Sequence, residues 1–231
     1  SMGLTGCAQM KDISEVKAAD KNEDKIQIVT TVYPEYDWVK QVLGNRAKDA
    51  EITLLTCDGE ALAAEDKEKI EESDLFVYVG GESDAWAEEI ADNSDVKTIN
   101  LMEVLGDSIK EEETVEGMQG SEHEHEHDHE DEDEKEYDEH VWTSLRNASM
   151  ICDAIAETLE EMDPENKEVY ASNAAAYQEK LSNLDTEYQN TVDSAKQNTL
   201  LFADRFAFRY LVDDYGLNYY AAFSGCSAES E

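Results

Sequence analysis

Four imidazoles crowd into seven residues. In Glu122-His-Glu-His-Glu-His-Asp-His129, the side chains of His123, His125, His127 and His129 alternate with carboxylates. Neutral imidazole is a good ligand for Zn²⁺, Cu²⁺ and Ni²⁺, and neighbouring carboxylates add attraction for any divalent cation. The plain alternative is a solvated acidic loop in which histidine is incidental. Against it, four of the five histidines of the chain fall in this one run. An affinity tag would be a pure histidine run without interleaved acids. The surrounding residues 111–139 hold 16 acidic side chains and one Lys, a local charge of -15. So little apolar surface cannot offset the entropy of ordering, so most of this stretch is expected to be mobile. Ordering it around an ion lowers affinity, which suits a collector or sensor better than a main site.

The fifth histidine, His140, follows in Asp138-Glu-His-Val-Trp142, where it is expected to open a helix. A histidine beside acids can be oriented through one ring nitrogen while the other binds metal. Taken alone, such a residue is more often a surface or capping group. No catalytic signature accompanies it: G-x-S-x-G, H-E-x-x-H and a Walker loop are missing from the sequence. Catalytic zinc takes three protein ligands and an open position, and one histidine outside the loop is a poor start for that set. An enzyme is therefore not expected. Cys57, Cys152 and Cys226 are widely spaced with no C-x-x-C, which argues against a cysteine-rich zinc site or a thioredoxin-type redox pair. Cys152 reads as a small buried hydrophobe, and a Cys57–Cys226 pair stays open.

The elements that must position these groups alternate in type. Residues 26–32, 51–55, 74–79 and 96–99 are β-branched or apolar runs that read as strands. Helical patterns lie between them at 35–43, 61–72 and around Trp86 and Ile90, the last capped by Ser83. That order predicts a parallel sheet covered on both faces. Helical pattern resumes from His140 to Met162, and Asp163-Pro164 punctuates it. Tyr170, Ala174, Tyr177, Leu181, Leu184 and Tyr188 then recur at spacings of three and four, one apolar stripe of a long helix. The stripe reads as core packing, and the helix as a spine between two lobes. Beyond it, a strand at 200–202, a helix at 206–215 and a strand at 219–223 begin a second lobe that is not completed by Glu231. The chain divides accordingly. Residues 1–25 are a tether, 26–110 an α/β lobe and 111–139 the acidic histidine-rich loop. Residues 140–162 are a closing helix, 163–196 the linking helix and 197–231 the start of the second α/β lobe.

Of 231 residues, 40% are hydrophobic, enough for a core, and the formal charge is -39. That charge opposes binding to nucleic acid or to anionic lipid and favours cations as partners. Leu4-Thr5-Gly6-Cys7 has the form of a bacterial lipobox, an apolar residue and two small ones before Cys. Lipid on Cys7 would hold the protein to the outside of the cytoplasmic membrane. The polar residues 11–25 read as a flexible tether.

Asp138-Glu-His-Val-Trp-Thr-Ser-Leu-Arg-Asn-Ala148 resembles the D-x-H-[VI]-W-x-[SD]-x-x-N-A segment of the zinc-type (cluster A-I) substrate-binding proteins of bacterial ABC importers. Three further segments are similar to the same family: Thr30-Thr-Val-Tyr-Pro-Glu-Tyr-Asp-Trp38, Asp74-Leu-Phe-Val-Tyr-Val-Gly-Gly81 and Phe202-Ala-Asp-Arg-Phe-Ala-Phe-Arg-Tyr-Leu211. The resemblance implies a two-lobed periplasmic-binding-protein-like α/β fold. In it, parallel sheets are joined by a long backbone helix and metal sits between the lobes. Here the second lobe is expected to be truncated. It also implies that His140 is a primary ligand, that Zn²⁺ is the cargo, and that the membrane permease of a metal importer is the partner. Histidine favours Zn²⁺ over the oxygen-preferring Mn²⁺. Two positions depart from the family. Leu54-Leu-Thr-Cys-Asp-Gly-Glu60 carries no histidine where the family has one after the second strand, and Arg205 stands where another is common. Arginine stays protonated and cannot ligate. Cys57, Asp58, Glu60 and Asp204 are the substitutes at hand. A metal buffer or sensor that binds only through the loop is the competing expectation. An incomplete second lobe would expose sheet edges, so a homodimer through residues beyond Leu200 is expected.

Overall fold

In a computed structural model of the chain, residues 25–55, 62–119 and 136–225 are described. Four parallel strands form the first sheet: β1 (Ile26–Thr30), β2 (Ala50–Leu54), β3 (Leu75–Tyr78) and β4 (Lys97–Asn100). Their spatial order is β2-β1-β3-β4. Ile28 stands opposite both Ile52 and Leu75, so the central strand is paired on both sides. Helix α1 (Tyr33–Leu43) follows β1, α2 (Ala64–Glu71) follows β2, α3 (Ala85–Asp92) follows β3, and the short α4 (Leu101–Leu105) follows β4. Central strands buried on both faces must be apolar throughout, and Leu75, Phe76 and Val77 of β3 are each 0% exposed.

The two faces of the sheet bury separate cores. On one, Val29, Phe76 and Tyr78 meet Ile70 of α2 and Ala87 and Ile90 of α3. On the other, Ile28, Leu75 and Val77 meet α1, α5 (Leu145–Met162) and α6 (Lys167–Ser194). Cys152 lies in this second core as the small hydrophobe expected, and burial pushes its thiol up to about 12. The spine α6 has 28 residues, roughly 42 Å at 1.5 Å per residue. Its stripe is buried in the first half, at Tyr170, Ala174 and Leu181. Leu184 and Tyr188 further along are exposed.

Two parallel strands, β5 (Thr199–Arg205) and β6 (Asn218–Phe223), make a second sheet, joined by α7 (Arg209–Asp214). Its core is small: Phe206, Val212 and Ala221, with Phe202, Leu217, Tyr219 and Met118 packed around them. Three local expectations are corrected. The helix expected from His140 starts at Leu145, because Ser144 caps it by accepting the Asn147 amide at 3.1 Å, and Val141–Thr143 form a 3₁₀ turn. The helix expected at 206–215 starts at Arg209, because Phe206 is held in the small core. Ser83 does not cap α3, since Glu82–Asp84 is itself a 3₁₀ turn. The stems of the acidic stretch are also placed: Glu111 and Tyr137 form an antiparallel bridge, and the Gln119 amide donates to the Ala222 carbonyl at 2.9 Å.

Candidate metal centre

His140 is held by its neighbour two residues earlier. The Asp138 carboxylate is 3% exposed, and its Oδ1 accepts both the His140 amide at 2.8 Å and the ring Nδ1 at 3.0 Å. A carboxylate only accepts, so Nδ1 carries the proton, and in the neutral ring Nε2 is left with the lone pair that can ligate a metal. The ring is mostly buried, at 19% side-chain exposure, with Trp142 edge-on at 5.5 Å between centroids. The 3₁₀ turn holds the backbone: Thr143 donates its amide and hydroxyl to the His140 carbonyl, at 3.2 and 2.9 Å.

Between them, Glu139 reaches back to the sheet. Its Oε1 accepts the Ser83 amide at 2.9 Å, beyond the carboxyl end of β3. Gly81 permits that approach. It sits at φ +86°, and a Cβ there would lie 2.4 Å from Glu139 Oε1. The Asp138–His140 pair is thereby fixed near the point where connections from β1 run left to β2 and those from β3 run right to β4. Open α/β sheets place ligands outside the strand carboxyl ends at such a switch point.

Two further carboxyls at the same edge, Glu35 buried and Asp84 half-buried, were not anticipated from the sequence. Glu35, 0% exposed, accepts the Thr31 and Val32 amides at 2.8 and 3.2 Å and closes the β1–α1 turn. Burial raises its carboxyl to about 8, against those amide bonds, with Asp84 adding a like charge. Asp84 accepts the Val79 and Gly80 amides at 2.9 and 3.1 Å, and burial again raises its carboxyl. Glu35 forms only half of a capping box, because Val32 at the N-cap has no side-chain acceptor, so the Ser/Thr-x-x-Glu signal was missing.

His123, His125, His127 and His129 lie outside the described residues, as do Cys7, Cys57, Asp58, Glu60 and Cys226. Asp204 is exposed on β5 and accepts the Arg205 amide at 2.8 Å. Among the described residues no group of three or more His, Cys, Asp or Glu side chains converges to hold an ion. Asp138 and His140 are what the structure brings together.

Residues 28–231 match the family described as ZnuA, zinc-uptake complex component A, periplasmic. The chain belongs to that family. It is 36% identical over 230 residues to the zinc-binding lipoprotein AdcA of Streptococcus pneumoniae, covering 94% of this chain and 42% of the relative. It is 32% identical over 221 residues to the high-affinity zinc uptake system protein ZnuA of Bacillus subtilis, covering 93% and 66%. The crystal structure of the Zn(II)-bound ZnuA-like domain of the pneumococcal AdcA superimposes with a TM-score of 0.64 at 33% identity, covering 90% of this chain and 70% of that one. The chain thus spans about two-fifths of the length of its pneumococcal relative. The ZnuA relationship accords with the α/β architecture of parallel sheet and long helix expected from the sequence. No helix among the described residues is long and apolar enough to cross a membrane.

Proposed function

We propose that this chain is the metal-capturing part of an extracytoplasmic receptor that takes up Zn²⁺ and delivers it to the permease of an ABC importer. The observation that carries the reading is the Asp138–His140 pair. A mostly buried imidazole is held through Nδ1 at the carboxyl edge of a parallel sheet, which leaves Nε2 as the nitrogen for metal. Membership of the zinc-uptake family and the names of the zinc-binding relatives support the cargo. Histidine as ligand favours Zn²⁺ over Mn²⁺. His123, His125, His127 and His129 collect ions from solution, and Cys7 carries a lipid that holds the protein at the outer face of the membrane. The protein binds and releases; it catalyses nothing. Two copies associate through the β5–β6 unit, where Leu201 is 80% exposed.

A second reading, a metal buffer binding only through residues 120–135, draws on one observation: among the described residues no group of three or more His, Cys, Asp or Glu side chains forms around His140. Zinc titration separates the two. Deleting residues 120–136 should lower the number of bound ions and leave one tight site. His140→Ala in that background should weaken the remaining site by at least about tenfold, on the order of 1.4 kcal/mol. If the deletion abolishes all binding, the protein is a buffer. If His140→Ala changes nothing, His140 is structural.

A further inference from the structure

Tyr210 belongs to α7 in the second unit, yet its ring is 2% exposed and packs into the larger core of the first. Its hydroxyl donates to the Asp138 carbonyl at 2.6 Å and accepts the Lys110 amide at 3.1 Å. The Asp138 amide in turn donates to the Lys110 carbonyl at 2.9 Å. One buried oxygen therefore ties together the two stems of the acidic stretch and a helix more than seventy residues away in sequence. The stem it holds is not an arbitrary one. Asp138 grips His140 through both the amide and Nδ1, so the Asp138 main chain is the base on which the imidazole orientation is built. A buried carbonyl deprived of its donor must move or find another, and that displacement passes directly to the carboxylate.

We propose that Tyr210 is a positioning residue for His140. Its hydroxyl fixes the Asp138 main chain, so docking of the β5–α7–β6 unit against the first lobe sets the geometry of the metal-binding imidazole. The inference rests on the capture role proposed above for His140. It makes the coupling reciprocal: metal bound at His140 must strengthen the Tyr210 contact by as much as that contact strengthens metal binding. A neighbouring tyrosine supplies the control. Tyr215 follows α7 and donates its hydroxyl to Asp185 of α6 at 2.8 Å, so it makes a similar contact between the units without touching Asp138.

The test uses the full chain and Zn²⁺ alone, with affinity read by competition against a chromophoric chelator. Tyr210→Phe keeps the ring and should weaken the site that His140→Ala removes by about tenfold, the scale of losing a hydrogen-bond partner behind a metal ligand. Tyr215→Phe should leave that site unchanged. In a His140→Ala background, Tyr210→Phe should cause no further loss; an equal loss with and without His140 would mark a general structural effect and overturn the positioning role. Unchanged affinity in Tyr210→Phe beside a clear loss in His140→Ala overturns the positioning role and leaves the capture reading standing. No loss in His140→Ala overturns both. Should Tyr210→Phe fail to fold, amide exchange in the natural chain decides. Zn²⁺ should slow exchange of the Lys110 amide, the group that donates to the Tyr210 oxygen, and should not do so in His140→Ala. An unchanged Lys110 rate in the natural chain rejects the coupling.

Discussion

The two sheets of this molecule are both parallel, yet they bury their strands very differently. Every residue of β3 in the first sheet is buried, with helices on both faces. In the second, β5 has no buried residue, and Leu201 is 80% exposed. Parallel strands are made for cover on both sides. The first sheet has that cover from α1, α2, α3, α5 and α6. The second has α7, the stem around Met118, and little else among the described residues. The contrast separates where stability resides from where the second unit makes its contribution. The first unit holds itself together. The second is joined to it through the buried Tyr210 ring and by polar contacts that include Tyr210 to Asp138, Ser144 to Asp214, Tyr215 to Asp185 and Lys110 to Asp213.

Core substitution breaks that comparison most directly. Phe76→Ala, in a 0% exposed position of β3, should cost about 3–5 kcal/mol in urea unfolding. Leu201→Ala should stay within about 0.5 kcal/mol, as at an ordinary surface site. A large loss at Leu201 would mean that its exposed face is covered in solution. Leu201→Lys addresses the same point by light scattering, where it should abolish self-association if the β5–β6 unit joins two copies.

The second effect is a pH dependence centred on Glu35 in the first unit. Glu35 has its carboxyl raised to about 8 from an ordinary 4.5. Between those values the unfolded chain has released its proton while the folded chain retains it. Stability is therefore fully present below 4.5, falls as pH rises toward 8, and levels off beyond. The total loss should be on the order of a few kcal/mol, and Glu35→Gln should flatten the profile while keeping the amides of the turn bonded. A Gln variant with an unchanged slope would trace the dependence to another group.

A smaller effect than that at Glu35 lies on the seam between the units. Ser144 caps α5 and donates its hydroxyl to Asp214 at 2.6 Å. Ser144→Ala should cost about 1 kcal/mol in thermal or urea unfolding, the usual worth of a cap. A cost near zero would show that the Asp214 contact adds nothing and that the two units are joined mainly through Tyr210 and Tyr215.

Much of the fold could be read along the chain, and the reason is local. The run at residues 26–32 becomes β1, Ile26–Thr30, because β-branched side chains suit an extended backbone whatever surrounds them. Asp163-Pro164 marks the break between α5 and the long helix, with Asp163 accepting the Asn166 amide nitrogen and the Tyr170 hydroxyl. The misread points are those where a particular hydrogen bond or strand pairing overrides the hydrophobic pattern. His140 looked like a helix start, but the acceptor that begins α5 is Ser144, and the His140 backbone is committed to Asp138 and Thr143. The stems of the acidic stretch have no periodicity to announce a strand. Their order comes from each other and from β6, as the bridges Glu111–Tyr137 and Gln119–Phe223 show.

The sequence by itself determined the family, the alternation of strand and helix and the long spine, and it singled out His140 and the histidine-rich run as candidates for metal. Residue type and spacing along the chain are enough for those, because ligand chemistry and periodicity are local properties. Only the tertiary structure decided what holds His140 in place. Glu139 is pinned to Ser83 across 56 residues, and Asp138 to Tyr210 across 72. Glu35 is buried and Asp84 half-buried with raised carboxyls because β1 and β3 lie side by side and bring the turns after them together. No spacing rule reaches such separations. The bonds exist because two cores bring those segments together and, once water is excluded, each buried polar group must find its partner in the protein.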